Sequence, residues 1–171
     1  MQYALRDATA ADVPAIAQLH VTTFNETHTH GRNNGPAFEL RERQWQEILA
    51  SRKHDWFCIV IEDAAGALVG FARGVRHDGG VPGFDGELNK IYVLRRCHRQ
   101  GLGRRLVCQA AQMFLARGMN SMLLFGDANN PSNGFYEHLG AERLYSPSGE
   151  FHGGYDWRDL ERLVKEACTS A

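Results

Sequence analysis

No apolar run in this 171-residue chain approaches the roughly 20 residues that a membrane-spanning helix needs, so a protein threaded through a bilayer is not expected. The opening Met1-Gln-Tyr-Ala-Leu-Arg6 has no basic stretch backed by an apolar core, so no secretory signal is expected either. Excess charge of one sign is missing too. Nineteen Lys and Arg side chains face twenty Asp and Glu, for a net charge of −1. The chain as a whole therefore has no general attraction for nucleic acid or anionic membrane, and any anion site must come from a local cluster. Cysteine is sparse: Cys58, Cys97, Cys108 and Cys168 form no C-x-x-C pair, which argues against a zinc ribbon or a thioredoxin-like motif. Without a secretory signal the cytosol is the expected compartment, with its thiols reduced. Repeats, low-complexity tracts and linkers are also absent. An apolar fraction of 43% and a charged fraction of 23% are ordinary for a soluble globular protein. The length suits one domain, 1–171, able to bury roughly 70% of its unfolded surface.

What is present is punctuation. Tyr3 to Arg6 reads as a first strand, and Thr9-Ala-Ala-Asp12 resembles a capping box ahead of a helix, with Pro14 in its first turn. Val13, Ile16, Ala17, His20, Val21 and Phe24 keep helical spacing. A polar loop is expected over 25–36, and a second helix over 37–50. Trp56 to Ile61 and Ala67 to Val75 form a hairpin about the turn Asp63-Ala-Ala-Gly66. A turn-rich connection, expected to be mobile, spans 78–86. Glu87 to Val93 is a strand. Residues 101–117 are the clearest helix, with Leu102, Leu106, Ala110, Met113 and Phe114 on one face and Gly118 as its stop. A strand over 121–125, a short helix over 131–139, strands over 142–145 and 151–157, and a last helix over 158–167 complete the chain. The order β-α-α-β-β-β-α-β-α-β-β predicts an α/β fold, a mixed central sheet of about seven strands with helices on both faces.

The chemistry concentrates between the fourth strand and the strongest helix. Gly101 and Gly103 let the backbone approach a ligand closely. The first turn of a helix offers N–H groups and partial positive charge, which suits phosphate. Arg95, Arg96, Arg99, Arg104 and Arg105 gather positive charge here in an otherwise balanced chain. No Gly-Lys-Ser/Thr follows, which excludes a Walker loop, and the third glycine of a dinucleotide fingerprint is missing. A tight turn with solvated arginines is the simpler alternative.

Ile91-Tyr-Val-x-x-x-x-His98-Arg-Gln-Gly101-Leu-Gly103 resembles the acetyl-CoA loop of the GNAT family of N-acetyltransferases. Asn129-Asn-Pro-Ser132-Asn-Gly-Phe135-Tyr136-Glu-His-Leu-Gly140 resembles that family's second signature. Two departures stand out: His98 replaces the usual Arg or Gln, and Arg95 replaces a common Pro. The resemblance implies the GNAT fold and an acetyl-CoA-dependent transfer of an acetyl group to a primary amine of a small molecule, or of a peptide. Acetyl-CoA would be the co-substrate, with no metal, and a homodimer is common in the family. It also implies a cofactor set of Ile91, Val93, Leu94, Arg99, Gln100, Gly101, Leu102, Gly103, Arg104, Asn129, Ser132, Phe135 and Tyr136. The N–H groups from about Arg99 to Arg104 would hold the pyrophosphate, and the backbone near Val93 would face the thioester carbonyl.

Two residues are candidates for proton transfer. Tyr136 would act as general acid toward the departing sulfur, since a phenol with an ordinary pKa near 10 arrives protonated. Its alternative is a core aromatic beside Phe135. Glu87 would act as base toward the amine, at an offset resembling that of the catalytic glutamate of the family's histone acetyltransferases. Its alternative is a carboxylate that only binds a cationic substrate. Alternation places Glu87, Asn89, Ile91 and Val93 on one strand face. Phe24, Glu26, His28, Glu87 and Asn89 are candidate acceptor contacts, with His77 and Asp78 weaker ones. His28 and His30 lack a third ligand for a metal and read as solvated loop histidines. Trp45 and Trp157 read as core. A non-catalytic acyl-CoA-binding module and a nucleic-acid module built on the arginines are the alternatives of other classes. The charge balance and the lack of interleaved aromatics weigh against nucleic acid.

Overall fold

The computed structural model describes residues 2–28, 35–51 and 56–168. Its strands are β1 (Ala4–Asp7), β2 (Trp56–Glu62), β3 (Leu68–Arg76), β4 (Gly86–Val93), β5 (Met122–Leu124), β6 (Glu142–Tyr145) and β7 (Phe151–Trp157). They form one mixed sheet in the order β1-β2-β3-β4-β5-β7-β6. The helices are α1 (Val13–His28), α2 (Phe38–Ala50), α3 (Leu102–Leu115), α4 (Asn133–His138) and α5 (Leu160–Leu163). The chain divides into two compact units, Met1–Ala72 with Lys90–Gly103, and Arg73–Asn89 with Arg104–Ala171.

In the first unit, β1 pairs antiparallel with β2, Ala4 opposite Glu62 and Asp7 opposite Ile59. All five residues from Phe57 to Ile61 are buried, so this strand is covered on both faces and its unbroken apolar run is explained. The Arg6 guanidinium grips both Asp12 oxygens at 2.7 and 2.8 Å, a bidentate geometry. Asp12 also accepts the backbone N–H of Thr9 at 2.7 Å, the expected cap of the turn that opens α1. Arg6 and these hydrogen bonds hold Asp12 at about 2, below the usual carboxylate range.

The core of this unit is aromatic. Trp45 is 1% exposed and stands edge-on to Phe71, with centroids 5.2 Å apart. Its indole N–H donates to Nδ1 of buried His20 at 3.2 Å. Burial pushes His20 down to about 3, so the ring is neutral and its other nitrogen carries the proton.

The loop expected over 25–36 is corrected in its first part, because α1 continues through His28. Three tertiary or local contacts stabilise those polar turns. Asn25 Oδ1 accepts the N–H of Gly35 at 3.0 Å. Glu26 bonds the backbone of Arg95. Phe24 and His28, one turn apart, stack with centroids 4.6 Å apart.

In the second unit, β4 begins parallel to β5, Gly86 opposite Met122 and Glu87 opposite Leu123. Asp85 fixes this register. Its carboxylate accepts the N–H of Asn120 at 2.9 Å and the hydroxyl of Ser121 at 3.1 Å, while Ser121 Oγ accepts the N–H of Asp85. Gly86 is demanded by packing, since a Cβ there would sit 2.6 Å from the Phe114 ring of α3. Of the predicted face of α3, Leu102, Leu106, Ala110 and Phe114 are buried and Met113 is half-buried, and Val107 and Ala111 are buried beside them. β7 pairs antiparallel with β5 and β6, with an irregularity at Leu144/Tyr145.

The expectation of four reduced thiols is also corrected. Cys108 of α3 and Cys168 of the terminal π-helical turn form a disulfide, with Cα atoms 5.6 Å apart, a spacing that a disulfide spans. The partners lie 60 residues apart in sequence, so no spacing motif announces them. Cys58 and Cys97 are free and buried. Among the described residues no helix is long and apolar enough to cross a membrane.

Candidate active site

In the first unit β4 ends in a tightly built turn. Leu94 donates its N–H to Val69 O at 2.9 Å, and a single 3₁₀ turn follows over Arg95–Cys97. The next residue, His98, reaches back: its Nε2–H donates to Val93 O at 2.8 Å. His98 thus occupies the family's Arg or Gln position as an intramolecular strut. Arg99 then adopts φ +61° and Gly101 φ +76°. The second is free of strain because glycine lacks a Cβ, whereas a non-glycine residue there costs roughly 1–2 kcal/mol. α3 begins at Leu102, aiming its first-turn N–H groups back toward this turn.

The five arginines do not act alike. Arg95 donates through its side chain to Glu26 O at 2.8 Å, and Arg104 donates through Nε to Ala167 O in the second unit. Arg96 and Arg99 are exposed. Gln100 Oε1 accepts the Tyr3 hydroxyl at 3.0 Å. Leu94 and Leu102 are buried, so what they can offer a ligand is backbone. Ile91, Val93 and Gly103 are half-buried.

Of the candidate acceptor contacts in this unit, the structure joins Glu26 to the loop: its carboxylate accepts the Arg95 N–H at 3.0 Å. Phe24 and His28 stack together, and the Arg41 guanidinium lies 5.7 Å from the Phe24 centroid. His30 falls outside the described residues.

In the second unit Glu87 and Asn89 share a face of β4, as alternation predicts. Glu87 Oε1 accepts Asn89 Nδ2–H at 2.7 Å, and Asn89 Oδ1 accepts from Arg73 of β3 at 2.8 Å. Glu87 Oε2 lies 3.6 Å from Nδ1 of His77, whose side chain is 2% exposed. The sequence flagged His77 only as a weak substrate contact. Its pairing with Glu87 depends on how β3 and β4 align, which no local pattern reveals. The neighbouring connection is tied at several points: His77 donates its N–H to Asp85 O, Val81 donates its N–H to His77 Nε2, and Phe84 is covered by Arg158.

The second signature forms a hydrogen-bonded turn leading into α4. Asp127 Oδ1 accepts the N–H of Asn129 at 2.8 Å, and Asn130 Oδ1 accepts that of Ser132 at 2.9 Å. These side chains stand in for backbone turn partners. The loop also lies directly on β7, because a Cβ on Gly153 would fall 2.4 Å from the Asp127 carbonyl carbon. Asn129 is exposed, and Ser132 and Phe135 are half-buried. Tyr136 is 8% exposed and lies among the rings of Phe135, Tyr155 and Trp157, with centroids 5.2 to 6.3 Å away. It is therefore a core aromatic by packing, whatever its hydroxyl does. Next to it, Glu137 accepts from Tyr155 OH at 2.9 Å and from Arg143 at 2.6 Å. The Arg143 bond, then that from Tyr155, holds its carboxyl below the ordinary value.

The model of the acetyltransferase (GNAT) family matches residues 13–141. The chain is 32% identical over 165 residues to the uncharacterized N-acetyltransferase YuaI of Bacillus subtilis, covering 93% of this chain and 95% of that one. It is 28% identical over 164 residues to the phosphinothricin N-acetyltransferase of Streptomyces viridochromogenes, covering 91% and 83%. The crystal structure of PaiA N-acetyltransferase from Thermoplasma acidophilum in complex with coenzyme A shares the fold. Its TM-score is 0.68 over 91% of this chain and 98% of that one, at 15% identity. A family match over 129 residues and a relative 32% identical along nearly its whole length agree with the seven-stranded sheet and glycine turn: this chain is an acetyltransferase of the GNAT family.

Proposed function

We propose that this enzyme transfers an acetyl group from acetyl-CoA directly to the primary amine of a small molecule. One observation carries the reading. β4 bears a half-buried carboxylate, Glu87, near its start and runs into the left-handed turn of Arg99 and Gly101 ahead of α3. The turn's backbone and the exposed Arg96 and Arg99 suit a pyrophosphate. In the reading by family resemblance, the N–H groups from about Arg99 to Arg104 hold that group, the backbone near Val93 polarises the thioester carbonyl, and Asn129 contacts the cofactor arm.

Glu87 is the base in this reading. An amine with a pKa near that of lysine reaches the enzyme protonated at neutral pH. Its N–H bond breaks, the proton passes to the carboxylate, and the freed electron pair attacks the thioester carbonyl. Tyr136 then protonates the departing thiolate. The phosphinothricin relative supports an acceptor with the amine of an amino-acid analogue. Acetylation of a diverse amine panel, followed by release of free CoA, tests the reading. Tyr136→Phe should lower kcat by roughly 10²–10⁴-fold with little change in acetyl-CoA affinity. Full activity in that variant removes Tyr136 as the acid, and full activity in Glu87→Gln removes Glu87 as the base. Residues 1–171 are proposed to act as one functional domain in a homodimer, which sedimentation of the purified chain would check.

A further inference from the structure

We propose that His77 is a positioning residue for the base, holding the Glu87 carboxylate in the orientation from which it takes the amine proton. The proposal rests on Glu87 being the base, and its support is a hydrogen-bonding argument within the second unit. His77 is buried, with its side chain 2% exposed, so each ring nitrogen needs an assignment. Nε2 lies 3.0 Å from the backbone nitrogen of Val81. An amide N–H can only donate, so Nε2 presents its lone pair. In the neutral ring the proton is then on Nδ1. That atom has no hydrogen-bond partner within 3.5 Å among the described residues and faces Glu87 Oε2 at 3.6 Å.

At this distance the contact is an oriented approach and falls just short of a hydrogen bond. Donors around catalytic carboxylates often stand long without substrate and tighten on binding. A buried N–H left unsatisfied is costly, so closing onto Oε2 is the favourable direction for this ring. The other oxygen, Oε1, is already held by Asn89 at 2.7 Å. With Asn89 on Oε1 and the His77 ring facing Oε2, the plane of the carboxylate is set from both sides, and the carboxylate retains lone pairs for the incoming proton.

The same assignment excludes His77 as the base itself. Nδ1 carries a proton and the Nε2 lone pair is taken by Val81, so the ring has no site for the amine's proton. The role also accounts for the site of the ring, at the end of β3 opposite the start of β4, where it anchors the connection over 78–85 and faces the base at once.

Two isosteric substitutions separate these duties. In His77→Asn the side-chain amide nitrogen falls where Nδ1 stands, which keeps the donor to Glu87 and drops the contact with Val81. In His77→Gln the amide oxygen falls where Nε2 stands, which keeps the Val81 contact and drops the donor. The proposal expects His77→Asn to keep kcat within about threefold. It expects His77→Gln to lower kcat by about tenfold to hundredfold at unchanged KM for acetyl-CoA, less than the 10²–10⁴-fold effect of a whole base. A wild-type kcat in His77→Gln beside an inactive Glu87→Gln overturns the positioning role alone. A wild-type kcat in Glu87→Gln overturns the base and this proposal together. Loss of kcat in His77→Asn with retention in His77→Gln identifies a loop anchor and also overturns it. Should both variants fold poorly, the histidine side-chain ¹⁵N spectrum of the unaltered protein decides. A proton on Nδ1 whose shift moves in Glu87→Gln supports the proposal, and a proton on Nε2 with Nδ1 bare refutes it.

Discussion

The demand for glycine at position 86 can be tested quantitatively. An added Cβ would stand 2.6, 2.8 and 2.9 Å from three carbons of the Phe114 ring, and contacts that short force something to move. Phe114 is 1% exposed and cannot swing into solvent, so either the ring or the start of β4 must shift. Overpacking of this kind costs about 1–3 kcal/mol, and three simultaneous clashes place Gly86→Ala toward the upper end, about 2–3 kcal/mol. For a chain of this length each kcal/mol lowers Tm by roughly 2–4 °C, so thermal unfolding followed by circular dichroism should show a drop of about 4–12 °C. The mechanism makes a second demand. In a Phe114→Leu background the methyl gains room, so the penalty of Gly86→Ala should fall below about 1 kcal/mol, a coupling typical of residues in contact. An unchanged Tm in the single variant, or an equal penalty in both backgrounds, would show that the Cβ–ring clash is not what fixes glycine here.

Other expectations follow from separate parts of the molecule. Burial places His20 at about 3, below its ordinary 6.5. The unfolded chain therefore binds a proton that the folded one refuses, and stability contributed by neutral His20 is lost as pH falls from about 6.5 toward 3. His20→Gln should flatten that part of the curve of stability against pH, measured by urea titration, and an unchanged slope would exclude His20 as its source. Gly101→Ala should cost about 1 kcal/mol because alanine is strained at φ +76°, and should raise KM for acetyl-CoA more than it lowers kcat. A rise in kcat-linked defects alone would count against a binding role for the turn. The Cys108–Cys168 link closes a loop of 60 residues, for which loop-closure entropy gives roughly 4 kcal/mol as an upper value. Thiol titration of the unfolded, unreduced protein should find two thiols, Cys58 and Cys97, and reduction should lower Tm. Four thiols would rule the bridge out.

Much of this protein was readable from residue order. Hydrophobic periodicity announced α3, because burial of one face imposes its spacing on local sequence, and an unbroken apolar run announced β2, which is buried on both faces. Gly101, Gly118 and Gly140 all adopt positive φ and punctuate the chain where the sequence placed its turns and stops. The two signatures hold the glycine turn and Tyr136 and pointed to the family, while Glu87 was picked out by its offset before the first of them. Where polar residues were stabilised by distant partners, local pattern failed: the last turns of α1 read as loop because Asn25 and Glu26 are held by Gly35 and Arg95. Only tertiary structure set the neighbours of the candidate base, joined Cys108 to Cys168, and turned Arg95 and Arg104 from a free charge cluster into struts on backbone carbonyls. The reason is physical. Spacing along a strand or helix fixes which side chains share a face, whereas the alignment between elements depends on packing summed over the whole chain. His77 and Glu87, ten positions apart, meet only because β3 and β4 bring them within 3.6 Å.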